Sequence, residues 1–206
     1  MTRITGKIGF TAVCGVVWAL VIGAGVVQVA QYENTPGTSA SIVLPPADER
    51  LPLATDRATL IMFVHPKCPC SDASMAELAE LMTKCAKQPA ATVVFFRPTG
   101  QSDDWVKTRL WSAARAIPGV RTVIDADGAL AKQFDAQTSG QVFLYEPDGR
   151  LAFSGGITGS RGHAGDNAGA DALAMLLDGQ LNLYASAPIQ APVFGCQILE
   201  SSTTRP

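Results

Sequence analysis

Thr59-Leu60-Ile61-Met62-Phe63-Val64-His65-Pro66-Lys67-Cys68-Pro69-Cys70-Ser71 is the stretch that decides the fold. It opens as a continuous apolar run, the pattern of a strand buried on both faces of a sheet. Pro66 and Pro69 then shape a turn, and the period changes. Met75, Leu78, Ala79, Met82 and Ala86 fall at i, i+3, i+4, i+7 and i+11, the stripe of an amphipathic helix. Cys68 and Cys70 therefore lie at a strand-to-helix junction. A helix N-terminus presents unpaired N–H groups and a partial positive charge, and both stabilise a thiolate. Ser71 and Ser74-x-x-Glu77 offer capping chemistry for a helix that starts here.

Working outward, Ala91 to Phe96 reads as a second buried strand and Asp103 to Ala116 as a second helix. Val120 to Ile124 is a third strand, and Asp127-Gly128 a turn before a short helix around Leu130 to Phe134. Val142 to Tyr145 and Leu151 to Phe153 flank Glu146-Pro147-Asp148-Gly149 as a hairpin. A glycine-rich loop from Gly155 to Gly169 leads to a last helix from about Ala170 to Leu177, capped by Asp166 or Asn167. The order β-α-β-α-β-α-β-β-α implies an α/β fold, a largely parallel sheet with helices on both faces.

Upstream, Ile8 to Ala30 runs 23 residues without a charge. As a helix this is about 34 Å long, enough to span the hydrocarbon core of a bilayer. Arg3 and Lys7 precede it and Glu33 follows, so the positive-inside rule places the N-terminus in the cytoplasm and the rest of the chain outside. The apolar run is longer than that of a signal peptide, and Gln28 spoils a cleavage site at Val27-Gln28-Val29-Ala30. The expected layout is a cytoplasmic N-terminus over 1–7, a transmembrane anchor over 8–30, and a Pro- and Ser-rich linker over 31–57. A domain over 58–185 and a C-terminal tail over 186–206 complete it. The expected location is a bacterial cytoplasmic membrane, single-pass, with the soluble domain periplasmic, where disulfides persist.

Sixteen basic and eighteen acidic residues give a net charge of −2, with no basic stretch of the kind that tracks phosphates, so nucleic acid is excluded as a partner. Five cysteines, an odd number, cannot all pair within one chain.

Residues 58–180 resemble the thioredoxin-like superfamily, in particular membrane-anchored bacterial redoxins with an extra βα insertion. Phe63-Val64-His65-Pro66-Lys67-Cys68 is similar to that family's strand, turn and first cysteine, and Gln141 to Arg150 to its later hairpin. Cys-Pro-Cys, Ser160-Arg161-Gly162-His163 and Pro192-Val193-Phe194-Gly195-Cys196 resemble a narrower RedB-like subgroup. The resemblance implies a thiol–disulfide oxidoreductase with Cys68 as nucleophile, Cys70 as its partner, protein thiols or disulfides as substrates and no cofactor beyond the redox-active pair. Two departures stand out. The usual Cys-x-x-Cys is here Cys-x-Cys with Ser71 at the fourth place, and Gly140 stands where the family has a cis-proline.

Four residues are auxiliary candidates: Cys196, Arg161, His163 and Gly140. The loop after the last strand emerges at the pole of the cysteines, so Arg161 and His163 can lower a thiol pKa or bind metal. Cys196 sits in the tail, where it is either a stray thiol or a resolving partner. Cys85, near the far end of the first helix of the domain, and Cys14, within the apolar span, read as passive. The competing function is a copper-binding protein, with Cys68, Cys70 and His163 or Cys196 as soft ligands for Cu(I). A non-catalytic assembly module is a further alternative. A peroxidase is disfavoured, because the chain lacks a Pro-x-x-x-Thr-x-x-Cys arrangement.

Overall fold

The computed structural model describes residues 2–41, 48–181 and 187–199. The chain divides into two compact units, residues 1–35 and 36–206. The first is a single helix, α1 (Thr2–Asn34), and its segment Ala12–Asn34 has a mean hydropathy of 2.2. Among the described residues it is the one helix long and apolar enough to cross a membrane. It runs beyond Ala30, the expected end of the span.

The second unit is built on a six-stranded sheet of order β3-β2-β1-β4-β5-β6. The strands are β1 (Thr59–Val64), β2 (Ala90–Arg97), β3 (Val120–Ala126), β4 (Gln141–Tyr145), β5 (Leu151–Gly155) and β6 (Ile189–Gln190). β1, β2 and β3 are mutually parallel, β4 is antiparallel to β1, and β5 is antiparallel to β4. β5 therefore runs with β1, so the loops after both emerge at one pole.

β1 is buried throughout because each of its faces meets a separate core. Leu60, Met62 and Val64 pack with Met75, Leu78 and Met82 of α2 (Ser71–Lys84), Leu110 of α3 (Arg109–Ala116) and Leu173 of α5 (Ala168–Leu177). Ile61 and Phe63 face the other way, onto Leu130 and Phe134 at α4 (Ala129–Gln133). The expected helix over 103–116 is instead a 3₁₀ turn, Asp103–Trp105, followed by α3. Asn167 caps α5, its side-chain oxygen accepting from the Ala170 N–H at 2.8 Å.

Two segments expected to lie outside the domain belong to it. In the supposed linker, Ala40 and Leu51 are buried, and the Ala40 N–H donates to Gln141 Oε1 at 3.1 Å. In the supposed tail, β6 pairs with β5, and Val193, Phe194 and Ile198 are buried. The apolar residues scattered among the prolines of these segments cover sheet and helix surface that the central elements leave open.

Candidate functional site

At the exit of β1 the chain turns through Pro66 and Lys67, with the Cys68 N–H donating to the His65 carbonyl at 3.0 Å. Cys70 is the N-cap residue of α2, and Cys68 lies two residues before it. The expected capping box does not form. Ser71 is the first helical residue, and its buried hydroxyl meets Ser139 Oγ at 2.6 Å. Glu77 instead accepts the Gly165 N–H at 2.6 Å, which ties the glycine-rich loop to α2.

Of the two readings of Cys196, the structure places it at the site. The segment after β6 returns across the sheet end and pairs with the loop before β4. There Thr138 and Gln197 form an antiparallel bridge, and the Ser139 N–H donates to the Cys196 carbonyl at 2.8 Å. This sets Cys196 Sγ 2.7 Å from Cys68 Sγ. The sulfurs of Cys68, Cys70 and Cys196 all lie within 4.8 Å of one another. Cys196 is thus held in place rather than carried on a loose tail.

Cys68 is buried, yet its thiol is pushed down to about 5. The hydrogen bond shared with Cys196 is the leading cause, and bonds from Ser71 add to it against the opposing effect of burial. With Cys68 ionised, the shared proton rests on Cys196, whose own thiol is pushed far up by that bond and by burial. Cys70, half-buried, is raised by burial and then by the Cys68 charge, with Arg161 acting the other way.

Ser139, which sequence reading missed, joins three elements. It accepts the His65 N–H on its hydroxyl at 2.8 Å, meets Ser71 and donates to Cys196. A polar residue next to Gly140, at the entry to a buried strand, was the available signal. Gly140 has φ +95° and donates its N–H to the Phe63 carbonyl at 2.8 Å. A proline can do neither, and no cis peptide bond occurs among the described residues.

Arg161 reaches the site through a hydrogen bond from its guanidinium to the Gly195 carbonyl. His163 does not join the sulfur cluster: its exposed ring nitrogen Nδ1 lies 2.9 Å from the Arg161 carbonyl oxygen. Of the two candidates for a third soft ligand beside Cys68 and Cys70, Cys196 lies with them and His163 does not. The turn that carries His163 closes on itself, through a bridge between Ser160 and His163, and points Arg161 inward. Next to Cys68 in the chain, Lys67 Nζ lies 4.2 Å above the Trp105 ring, and Trp105 packs edge-on against His65.

Three parallel strands, an antiparallel hairpin at the other side, and a cysteine where β1 gives way to α2 are now in view. The fold is thioredoxin-like. β3 and α4 form the βα insertion expected in it. Solved structures match most of the chain. One is an uncharacterized conserved protein from Geobacillus kaustophilus, 20% identical, covering 82% of this chain and 99% of its own, at TM-score 0.58. Another is a hypothetical protein from Sinorhizobium meliloti, 24% identical, covering 82% and 96%, at TM-score 0.51. The exposed lipoprotein thioredoxin Etrx1 of Streptococcus pneumoniae matches at 14% identity, 69% and 99% coverage and TM-score 0.43. No family model matches the chain. No curated protein matches it either.

Proposed function

We propose that the protein is a membrane-tethered, extracytoplasmic thiol–disulfide oxidoreductase acting on protein disulfides, with Cys68 as nucleophile and Cys196 as resolving thiol. The observation that carries this reading is the 2.7 Å approach of Cys196 Sγ to a Cys68 thiol held well below its ordinary value. The thiolate is the attacking form in disulfide exchange, and the second thiol must reach the same sulfur. Cys70, the resolving residue expected from the Cys-x-Cys spacing, becomes an auxiliary thiol. The location outside the cytoplasm rests on the charge asymmetry around the apolar helix.

The test is trapping. Purified full chain carrying Cys196→Ser should accumulate a mixed disulfide with insulin or another disulfide-bonded protein, whereas Cys68→Ser should form none. Trapping by Cys70→Ser and not by Cys196→Ser would return the resolving role to Cys70.

A second reading has its own observation. Three sulfurs within 4.8 Å of one another suit a soft cation such as Cu(I). Copper binding that needs all three cysteines, together with no exchange activity, would replace the first reading with this one.

A further inference from the structure

Cys70 takes no part in the exchange between Cys68 and Cys196, yet its sulfur stands beside both. All three sulfurs lie within 4.8 Å of one another. The Cys70 thiol shares a hydrogen bond with Cys196, which favours its ionisation, and one with Cys68, which opposes it. The backbone fixes its place: Cys70 is the N-cap residue of α2, and its carbonyl accepts the Ala73 N–H at 3.3 Å. Cys196 is fixed in turn, its carbonyl accepting the Ser139 N–H while the Ile198 N–H donates to the Gln137 carbonyl, both at 2.8 Å. A disulfide joining Cys68 to Cys70 would close a ring across Pro69 alone. One joining Cys70 to Cys196 links segments far apart in the chain and carries no such constraint.

We infer that Cys70 is a relay thiol: once Cys68 and Cys196 have joined, Cys70 takes over the disulfide with Cys196 and sets Cys68 free before any reductant arrives. This rests on the oxidoreductase reading and gives the third thiol of that site its task. Which sulfur Cys70 attacks is decided by what each leaving thiolate gains. Cys68 has the hydroxyl and backbone N–H of Ser71 aimed at it, donors that do not depend on Cys196. Cys68, burial and Cys70 all act against a Cys196 thiolate. Attack on Cys68 would expel Cys196, the poorer leaving group. Attack on Cys196 expels Cys68, the better one, and is the faster path. Oxidation also removes the Cys68 charge that opposes a Cys70 thiolate, while Arg161 continues to favour it.

The relay needs no added oxidant. Reduction of a substrate disulfide to two thiols leaves Cys68 Sγ bonded to Cys196 Sγ. The Cys70 thiol gives its proton to solvent, and its sulfur attacks Cys196 Sγ. The Cys196–Cys68 bond breaks, and Cys68 leaves with the electron pair as a thiolate. One disulfide replaces another, so nothing is oxidised or reduced overall. The freed Cys68 thiolate can then attack a second substrate disulfide, whose far sulfur leaves with its electron pair and takes up a proton. That mixed disulfide waits, because Cys196 is engaged with Cys70. An external dithiol reduces Cys70–Cys196 to two thiols and is itself oxidised to a disulfide. Cys196, free again, resolves the waiting mixed disulfide. The centre is thus rearmed while it is still oxidised, and the disulfide awaits its reductant on two half-buried residues rather than on buried Cys68.

The experiment uses the reduced full-length chain, oxidised with one equivalent of diamide near neutral pH and quenched with acid to stop exchange. Fragment-ion mass spectrometry then locates the linked residues. Cys70–Cys196 should exceed Cys68–Cys196 by about tenfold, the advantage of donors aimed at a charged sulfur. Ser71→Ala, which deletes the hydroxyl donor, should cut that ratio about fivefold. Excess insulin without reductant supplies a second readout. The parent chain should hold insulin on Cys68 beside a Cys70–Cys196 disulfide, whereas Cys70→Ser should end as Cys68–Cys196 with no insulin attached. A disulfide that stays on Cys68–Cys196, or settles on Cys68–Cys70, in the diamide-treated parent chain overturns the inference whether or not the variants fold. So does a Cys70→Ser chain that holds insulin as its parent does. Failure of the reduced parent chain to react with insulin at all would instead sink the oxidoreductase reading.

Discussion

The two ends of α2 each hold a buried cysteine, and their environments treat the thiols in opposite ways. Cys68 is 4% exposed and Cys85 is 5% exposed, so burial does not separate them. Cys85 packs in the core, and its thiol is raised by burial and then by the Asp178 carboxylate. Cys68 is lowered to about 5 because hydrogen-bond donors from Cys196 and Ser71 converge on its sulfur. Desolvation alone silences a thiol, and it takes aimed donors to make a buried one reactive. The start of α2 adds a smaller share, through the Ser71 backbone N–H, and no such donor acts on Cys85.

The harshest way to break this comparison is to remove each thiol in turn. Cys68→Ser should bring disulfide exchange down to the uncatalysed background. Cys85→Ala should leave the exchange rate intact while costing about 1–2 kcal/mol of stability, read from chemical denaturation. Equal losses of activity would show that the two ends are not distinct.

Alkylation against pH sharpens the same contrast. Iodoacetamide should modify Cys68 with a midpoint near pH 5, while Cys85 reacts only after unfolding. The linked effect on stability has a definite sign. Folded Cys68 titrates near 5 and an ordinary thiol at 9.0, so its contribution is complete above pH 9 and is lost as pH falls toward 5. Cys68→Ser should remove that part of the stability-versus-pH slope, measurable by denaturation at several pH values.

Next in size is the loss of the leading donor. Cys196→Ala should raise the alkylation midpoint of Cys68 well above 5, and Cys196→Ser should raise it less because a hydroxyl still donates. Ser71→Ala should produce a smaller rise, since the Ser71 side chain contributes less than Cys196. The smallest effect is expected at His163. Its ring engages the Arg161 carbonyl rather than a sulfur, so His163→Ala should leave the Cys68 midpoint unchanged. A clear shift there would mean that the loop carries His163 toward the thiols.

Reading the chain in order recovers the domain well where periodicity is local. The apolar run of β1, the stripe of α2 and the Asp148-Gly149 turn each depend on neighbours a few residues apart, and each appears at its expected place, save that α2 ends at Lys84 and leaves Ala86 exposed outside it. The apolar spacing of Trp105, Leu110 and Trp111 reads as one helix over 103–116, while the backbone breaks between Trp105 and Arg109. Residues 36–57 and 187–199 look like spacers because their prolines destroy any period. They pack nonetheless, since burial of Leu51, Val193 and Ile198 needs no regular element to carry them.

By itself the sequence determined that a cysteine would stand at the end of a buried strand and the start of a helix. It also determined that a long apolar segment would precede the domain. Both follow from interactions between residues close along the chain. Only the tertiary structure decided which thiol faces Cys68. Cys70 is two positions away and reads as the natural partner, but Cys196, 128 residues further on, is the sulfur placed against it. Strand pairing to Gln137 and Ser139 and a glycine small enough to slide past a carbonyl put it there; Gly195-Cys196 is visible in the sequence, but the pairing that places it is not. A contact between distant residues is set by the whole fold, so its chemistry becomes legible only when the fold is in hand.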